Sequence, residues 1–332
     1  MPLVPMKQIL DEARKGNYGV GAYNVNNMEQ IQAIMLAAQR TKSPVILQAS
    51  RGALKYTNFT YLKHLMLAAL EENPDIPIAV HLDHGNSLET VKKAIELGFS
   101  SVMIDGSLRE DGKTPSDYEY NVRVTRAVVE YAHQFGVTVE GEIGRLGGIE
   151  DGVGSGSAHL TDPDEAKRFV DETGVDALAI AIGTSHGAYK FKGEKHLAFD
   201  VLEKVRAKID IPIVLHGASS VPQELIDKIN RFGGKMPGAT GVPMEDLQKA
   251  IRLGVTKINV DTDGRLAVTG AIREVFATQP EKFDPRDYLG PAREQLADLI
   301  AKKMEDFGTA GHAGDYAPLT LEDMKRFYAG KG

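Results

Sequence analysis

The sequence predicts an α/β fold, a single (β/α)8 TIM barrel with additional C-terminal helices, and three observations lead there. Eight short β-branched runs recur along the chain; most are followed by a longer stretch with helical spacing; and chemically capable side chains gather where the runs end. A doubly wound sheet is the competing arrangement. It is disfavoured because no GxGxxG follows the first strand.

The predicted strands are GVGAYNV (19–25), PVILQAS (44–50), PIAVHL (77–82), SVMID (101–105), VTVEGEI (137–143), ALAIAI (177–182), PIVLH (212–216) and VTKINV (255–260). Between them, MEQIQAIMLAAQR (28–40) and SLETVKKAIELG (87–98) place apolar residues three and four apart. PDEAKRFVDETG (163–174) opens with proline and closes with glycine, as helices do. Longer segments at 106–118, 143–162, 184–197 and 217–243 each follow a strand, on the side where barrel sites are built. Residues 284–308 read as a further helix, and 309–332 as a Gly-rich link with a short amphipathic end. The expected organisation is one catalytic domain over 1–308 and a tail, 309–332, docked on the barrel or on a partner subunit.

With 332 residues, 42% hydrophobic and 26% charged, the chain has the composition of an ordinary folded domain, and barrels reach this length as one unit. A formal charge of -7 without a basic cluster argues against a nucleic-acid partner. The absence of cysteine excludes disulfides, thiolate nucleophiles and Cys-ligated metals, so a metal would need His, Asp or Glu. The N-terminus turns polar within a few residues, and the expectation is a cytoplasmic protein with no membrane partner.

Polar residues stand at most of the strand ends: Asn24, Ser50, Asp83 with His84, Asp105, Glu142, His186, His216, and Asn259 with Asp261. Of nine histidines, His84, His186 and His216 fall near the ends of strands 3, 6 and 7, each followed by glycine, which leaves room for an ion beside the ring. Three imidazoles with an open position suit a catalytic zinc. His64, His133, His159, His196 and His312 lie in helix, loop or tail segments and read as structural. Period-two alternation puts His81 on the face of Asp83, where it would support from below. Asp83 is either a fourth ligand or a free base. Asp105 and Glu142 offer oxygen ligands for another metal position, a second divalent or a monovalent cation, or else pair with Lys257. Glu150 would act as a loop acid. HGASS (216–220) and NVDTDGR (259–265) stand where barrels bind phosphate: Gly217, Ser219, Asp261 and Thr262 are candidates, with Arg265 as a second anion clamp.

Taken together, HLDHG, SVMIDGS, VEGEIG, AIGTSHGAYK, LHGASSVP and KINVDTDGR resemble the class II, metal-dependent fructose-1,6-bisphosphate aldolases, of the branch called class IIB, over nearly the whole chain. The resemblance implies that His84, His186 and His216 bind zinc and that Asp83 is the acid/base on the C4 hydroxyl. It implies that Asp105 and Glu142 hold a second or displaced metal. Gly187, Lys190, Gly217, Ala218, Ser219, Asn259, Val260, Asp261 and Thr262 then match the ketose-phosphate and enediolate site. Asn24, Ser50 and Arg265 match contacts to the sugar hydroxyls and the other phosphate. In relatives that arginine can come from the neighbouring subunit, so a homodimer or homotetramer is expected. The tagatose-bisphosphate aldolases share most of these motifs but tend to lack the aspartate that is Asp261 here. The stretch GGIEDGVGSGSAH carries Ile149 before Glu150, where some relatives have paired acids. Competing readings are a Schiff-base aldolase using Lys257, a metal-dependent hydrolase, and a sugar-phosphate binder without activity.

Overall fold

The computed structural model describes residues 3–148, 159–189 and 197–330. In chain order the elements are α1 (Met6–Gly16), β1 (Val20–Asn24), α2 (Met28–Thr41), β2 (Val45–Ser50), α3 (Arg51–Thr57), α4 (Phe59–Glu72), β3 (Ile78–Gly85), α5 (Leu88–Glu96), β4 (Ser101–Ile104), α6 (Tyr118–His133) and β5 (Thr138–Ile143). They continue with α7 (Pro163–Thr173), β6 (Ala177–Ile180), α8 (Phe199–Lys208), β7 (Ile213–Leu215), α9 (Gln223–Arg231), α10 (Met244–Arg252), β8 (Val255–Val260), α11 (Thr262–Thr278), α12 (Pro285–Asp306) and α13 (Leu321–Ala329). The strands are parallel and close into a barrel in sequence order, β8 pairing back onto β1. Consecutive order follows from βα units whose crossover helix packs outside the sheet.

The local signals behave as their chemistry dictates. Asn27 caps α2 by accepting from the Gln30 amide, and Asp162 caps α7 with Pro163 in its first turn. Gly174 ends α7 in the left-handed region, at φ 71°. Two differences from the sequence expectation matter. β3 runs on to Gly85 instead of ending at Leu82, and its pairing with β4 shifts register between Leu82 and Gly85. The segment 217–243 carries a helix of its own, α9.

Alternation divides each strand between an outer, apolar face under the helices and an inner face that changes character along the barrel. Deep inside, Val20, Ala22, Ile46, Ala79, Ala177, Ala179 and Val214 pack against Met6, Ile9, Leu10 and Ala13 of α1, which plugs the N-terminal end. Two residues further along the same faces stand Gln48, His81 and Glu140, and two beyond those Ser50, Asp83 and Glu142. The polar layers thus rest on an apolar floor. The chain beyond α12 lies at that floor: Thr309 Oγ1 donates to the Gly19 carbonyl at 2.5 Å, and Tyr328 stacks on His133 at 3.6 Å. No helix among the described residues is long and apolar enough to cross a membrane.

Candidate active site

The irregular end of β3 sets the geometry. In a regular strand Asp83 and His84 would point to opposite faces; the register shift, with His84 at φ 49°, turns both toward the barrel mouth. A non-glycine residue in the left-handed region carries strain, and such residues concentrate at functional sites. Gly85 follows for a specific reason: a Cβ there would stand 2.4 Å from the Met103 carbonyl oxygen of β4. Gly217 likewise has φ 59° and lies against the backbone of Ser185. Backbone approach, more than room for an ion, explains these two glycines after histidine.

His84, His186 and His216 come together as the sequence predicts, each offering one ligand atom, all of these within 4.8 Å of one another. His216 Nδ1 faces His84 Nε2 at 3.0 Å, and the His84 and His186 rings meet edge-on at 5.1 Å. His84, Asp105 and Glu142 form a second such group, sharing His84 with the first. His84 Nδ1 lies 3.3 Å from Asp105 Oδ2, and Asp105 Oδ1 accepts from the Ser107 hydroxyl at 2.6 Å.

The electrostatics favour a cation here. Burial by itself lowers the His84 imidazole, but Asp83, Asp105 and Glu142 outweigh it and raise it to about 10. His216 is driven well below the usual histidine range by burial and by His84. Glu142 is pushed well above the carboxylate range by burial and by Asp105, and its Oε2 is buried with no hydrogen-bond partner among the described residues, 3.7 Å from His216 Nδ1. Three convergent imidazoles, with Asp105 and Glu142 forming a second group through His84, fit a divalent metal.

Asp83 resists burial: desolvation raises its carboxyl, while His84, His216 and Lys257 hold it below the ordinary value, as a carboxylate. It accepts from the Asn259 amide at 3.2 Å and the Asn24 amide at 3.3 Å, and Asn24 in turn accepts from Gln48 at 2.5 Å. Lys257 is fully buried below this layer. Its Nζ lies 2.9 Å from Glu140 Oε2 and donates to Asn259 Oδ1 at 2.8 Å. Two sequence readings change accordingly. Among the described residues Lys257 pairs with Glu140 and with neither Asp105 nor Glu142, and its Nζ is engaged beneath the cleft by Glu140 and Asn259 instead of being presented to it as a Schiff-base nucleophile.

Asn24, Ser50, Asp83, His84, His186, His216, Gly217, Ala218, Ser219, Asn259 and Asp261 line one cleft. Gly187 follows His186 at φ 85°, Val260 ends β8 and Thr262 begins α11. Arg265 makes a two-pronged ion pair with Asp261, at 2.8 and 2.5 Å, beside that cleft. Glu150 and Lys190 lie outside the described residues. Sequence reasoning missed Arg51 and Gly52, which share the cleft wall. Their signal was available: they follow Ser50 directly, at a strand end.

The model of the fructose-bisphosphate aldolase class-II family matches residues 4–312. A fructose-bisphosphate aldolase from Giardia intestinalis is 58% identical over 330 residues, covering 99% of this chain and 100% of that protein. One from Stutzerimonas stutzeri is 52% identical over 345 residues, covering 99% and 98%. Among solved structures, the YdjI aldolase of Escherichia coli K12 superposes with a TM-score of 0.75 at 29% identity, over 94% of this chain and 99% of that one.

Proposed function

Because the chain belongs to the class II fructose-bisphosphate aldolase family, we propose that it cleaves fructose 1,6-bisphosphate reversibly to dihydroxyacetone phosphate and glyceraldehyde 3-phosphate. It is a carbon–carbon lyase. The observation that carries the mechanism is Asp83, a buried carboxylate held deprotonated beside three convergent histidines. A divalent cation bound by His84, His186 and His216, zinc in our reading, supplies the Lewis acid that replaces a lysine Schiff base as electron sink.

Asp83 takes the proton of the C4 hydroxyl, the C3–C4 bond breaks, and its electron pair passes to C3 and the adjacent carbonyl to give the enediolate. The Asn259 amide, which donates toward Asp83 at 3.2 Å, also donates to the charge that develops on the enediolate oxygen. In the synthetic direction Asp83 returns the proton. Gly187, Lys190, Gly217, Ala218, Ser219, Val260, Asp261 and Thr262 bind the ketose phosphate, and Asn24, Ser50 and Arg265 the sugar hydroxyls and second phosphate. Asp105 and Glu142 offer a second cation position through His84. Glu150 acts as a loop acid, and Asp261 favours fructose over tagatose bisphosphate. We further propose a cytoplasmic homodimer or homotetramer.

The test is a coupled triose-phosphate assay on both bisphosphates, with and without chelator and added zinc. Fructose bisphosphate should be preferred, and turnover should vanish on chelation and return with zinc. Asp83→Ala should lower kcat by roughly 10²–10⁴-fold with metal content retained. Near-normal turnover in that variant would remove Asp83 from the mechanism, and phosphate release without triose phosphates would indicate a hydrolase.

A further inference from the structure

One layer beneath the site lies a charged pair to which the mechanism gives no task. Lys257 and Glu140 are both fully buried, and each sits two residues before a residue of the mouth, Asn259 and Glu142. We propose that the Glu140–Lys257 pair is a positioning device that fixes, from below, the orientation of the Asn259 amide and the tautomer of His216. The proposal rests on the aldolase reading for its catalytic half only.

Donor and acceptor identity decides the orientation of the Asn259 amide. An asparagine side chain presents an acceptor at one end and two donors at the other, and the two orientations have nearly the same shape. Lys257 carries only donors, so it can meet only Oδ1, as it does at 2.8 Å. Nδ2 must then face Asp83, at 3.2 Å, where the reacting oxygens gather. Turning the amide over would oppose an NH₂ to an ammonium and a carbonyl oxygen to the Asp83 carboxylate. Lys257 thereby makes Asn259 a donor to the reaction.

Glu140 applies the same logic to His216. Oε1 of this carboxylate faces His216 Nε2 at 2.7 Å, which places the ring proton on Nε2 and leaves a lone pair on Nδ1. Nδ1 is the atom turned to His84 and the metal group. Oε2 of Glu140 stands 2.9 Å from Lys257 Nζ. His81 completes the layer, with Nε2 3.5 Å from Lys257 Nζ and Nδ1 2.8 Å from the Ser101 hydroxyl. The ammonium thus faces a carboxylate, an amide oxygen and an imidazole nitrogen. Stability alone does not call for such a pair, since buried ion pairs replaced by apolar residues often leave a protein as stable or more so.

Two readouts separate positioning from structure. In a double-mutant cycle on kcat, Lys257→Met should slow turnover about 10–100-fold with KM little changed. Adding it to Asn259→Ala should cost no further factor, because Lys257 acts through that amide. Losses that multiply would overturn this half, as would a Lys257→Met enzyme of normal kcat. Zinc titration of the metal-free protein, which needs no turnover, should show Glu140→Gln weakened about 10–100-fold and Lys257→Met close to wild type. Wild-type affinity in Glu140→Gln would overturn the His216 half. If either single variant melts too low to measure, E140Q/K257M, which buries no unpaired charge, should show both defects, and normal zinc affinity and kcat in it would refute the proposal. Failure of the aldolase reading would appear separately, as wild-type protein that forms no triose phosphates.

Discussion

Arg51 shows what a single side chain adds to this site. Burial pushes its guanidinium down from the ordinary arginine value while Asp105 pulls it back, and its Nε is buried with no hydrogen-bond partner among the described residues. An arginine remains protonated under such conditions, so an incompletely satisfied charge faces the cleft that a bisphosphate would enter. Charge-assisted hydrogen bonds contribute about 1.5–3 kcal/mol. Arg51→Met should therefore raise KM for fructose 1,6-bisphosphate about tenfold or more, with kcat affected less. Steady-state kinetics decide it: a fall in kcat at constant KM would tie Arg51 to Asp105 and the metal group, and not to substrate. Residues of this kind are partly legible in sequence. His84, His186 and His216 could be found because they stand at strand ends and share one chemistry; Arg51 stands at such an end too, yet an arginine after a strand is common enough to pass as surface. Lys257 was misread because its partner, Glu140, lies on a strand three positions round the barrel, and no local pattern links the two.

At the scale of elements, strand number, order and most boundaries were legible from β-branched runs and their period, whereas the bulge in β3 was not. A register shift arises between two strands, and the HLDHG sequence reads the same with or without it. The loop after β7 has a comparable hidden support. Val221, a β-branched residue at φ 48°, is held there because Asp263 of α11 accepts from the Ser220 and Val221 amides at 2.9 and 2.7 Å. Lys303 of α12, itself buried, closes the arrangement at 2.5 Å from Asp263 and 2.9 Å from the Ser220 hydroxyl. Burial alone would raise the Asp263 carboxyl, but Lys303 and the loop amides bring it below its ordinary value. A depressed carboxyl contributes stability that is present above its unfolded pKa, near ~3.9, and is lost as pH falls through the lower folded value. Lys303→Met takes away the main opposing charge and leaves burial dominant, so the Asp263 carboxyl should rise above its unfolded value and destabilise the fold at neutral pH, with relief as acid protonates it. Denaturant unfolding followed by circular dichroism should show a neutral-pH loss of about 3–5 kcal/mol for the stranded carboxylate that shrinks as pH falls toward about 4. A loss that stays the same across this range would show that the amides alone keep Asp263 ionised.

For the whole molecule, the two ends of the barrel divide the work, and the C-terminal segment belongs to the end without chemistry. Gln8 of α1 bonds to the Ala317 carbonyl at 2.7 Å and to the Leu319 amide at 2.8 Å, tying the tail to the helix that plugs the barrel. Asp176, ahead of β6, then gathers three donors: the Tyr328 hydroxyl, His133 Nε2 and the Val139 amide, each at 2.9 Å. Met324 and Tyr328 bury the inner face of α13. The tail therefore closes over the floor of its own barrel, and we propose that 1–308 forms the catalytic unit and 309–332 its fastening. Burial of a large apolar side chain contributes about 1.5–3 kcal/mol, so removing residues 318–332 should cost about 3–6 kcal/mol and lower the melting temperature. Among the described residues, the cleft at the barrel mouth, with His84, His186 and His216, has no lining residue from α13. Turnover per folded molecule, measured well below the new melting temperature with zinc saturating, should accordingly match the full chain. A truncated protein that melts normally would deny the tail its fastening role; one that folds and holds zinc yet turns over slowly would mean that the floor communicates with the mouth, through the column of residues that runs from α1 by way of Glu140 and Lys257 to Asn259.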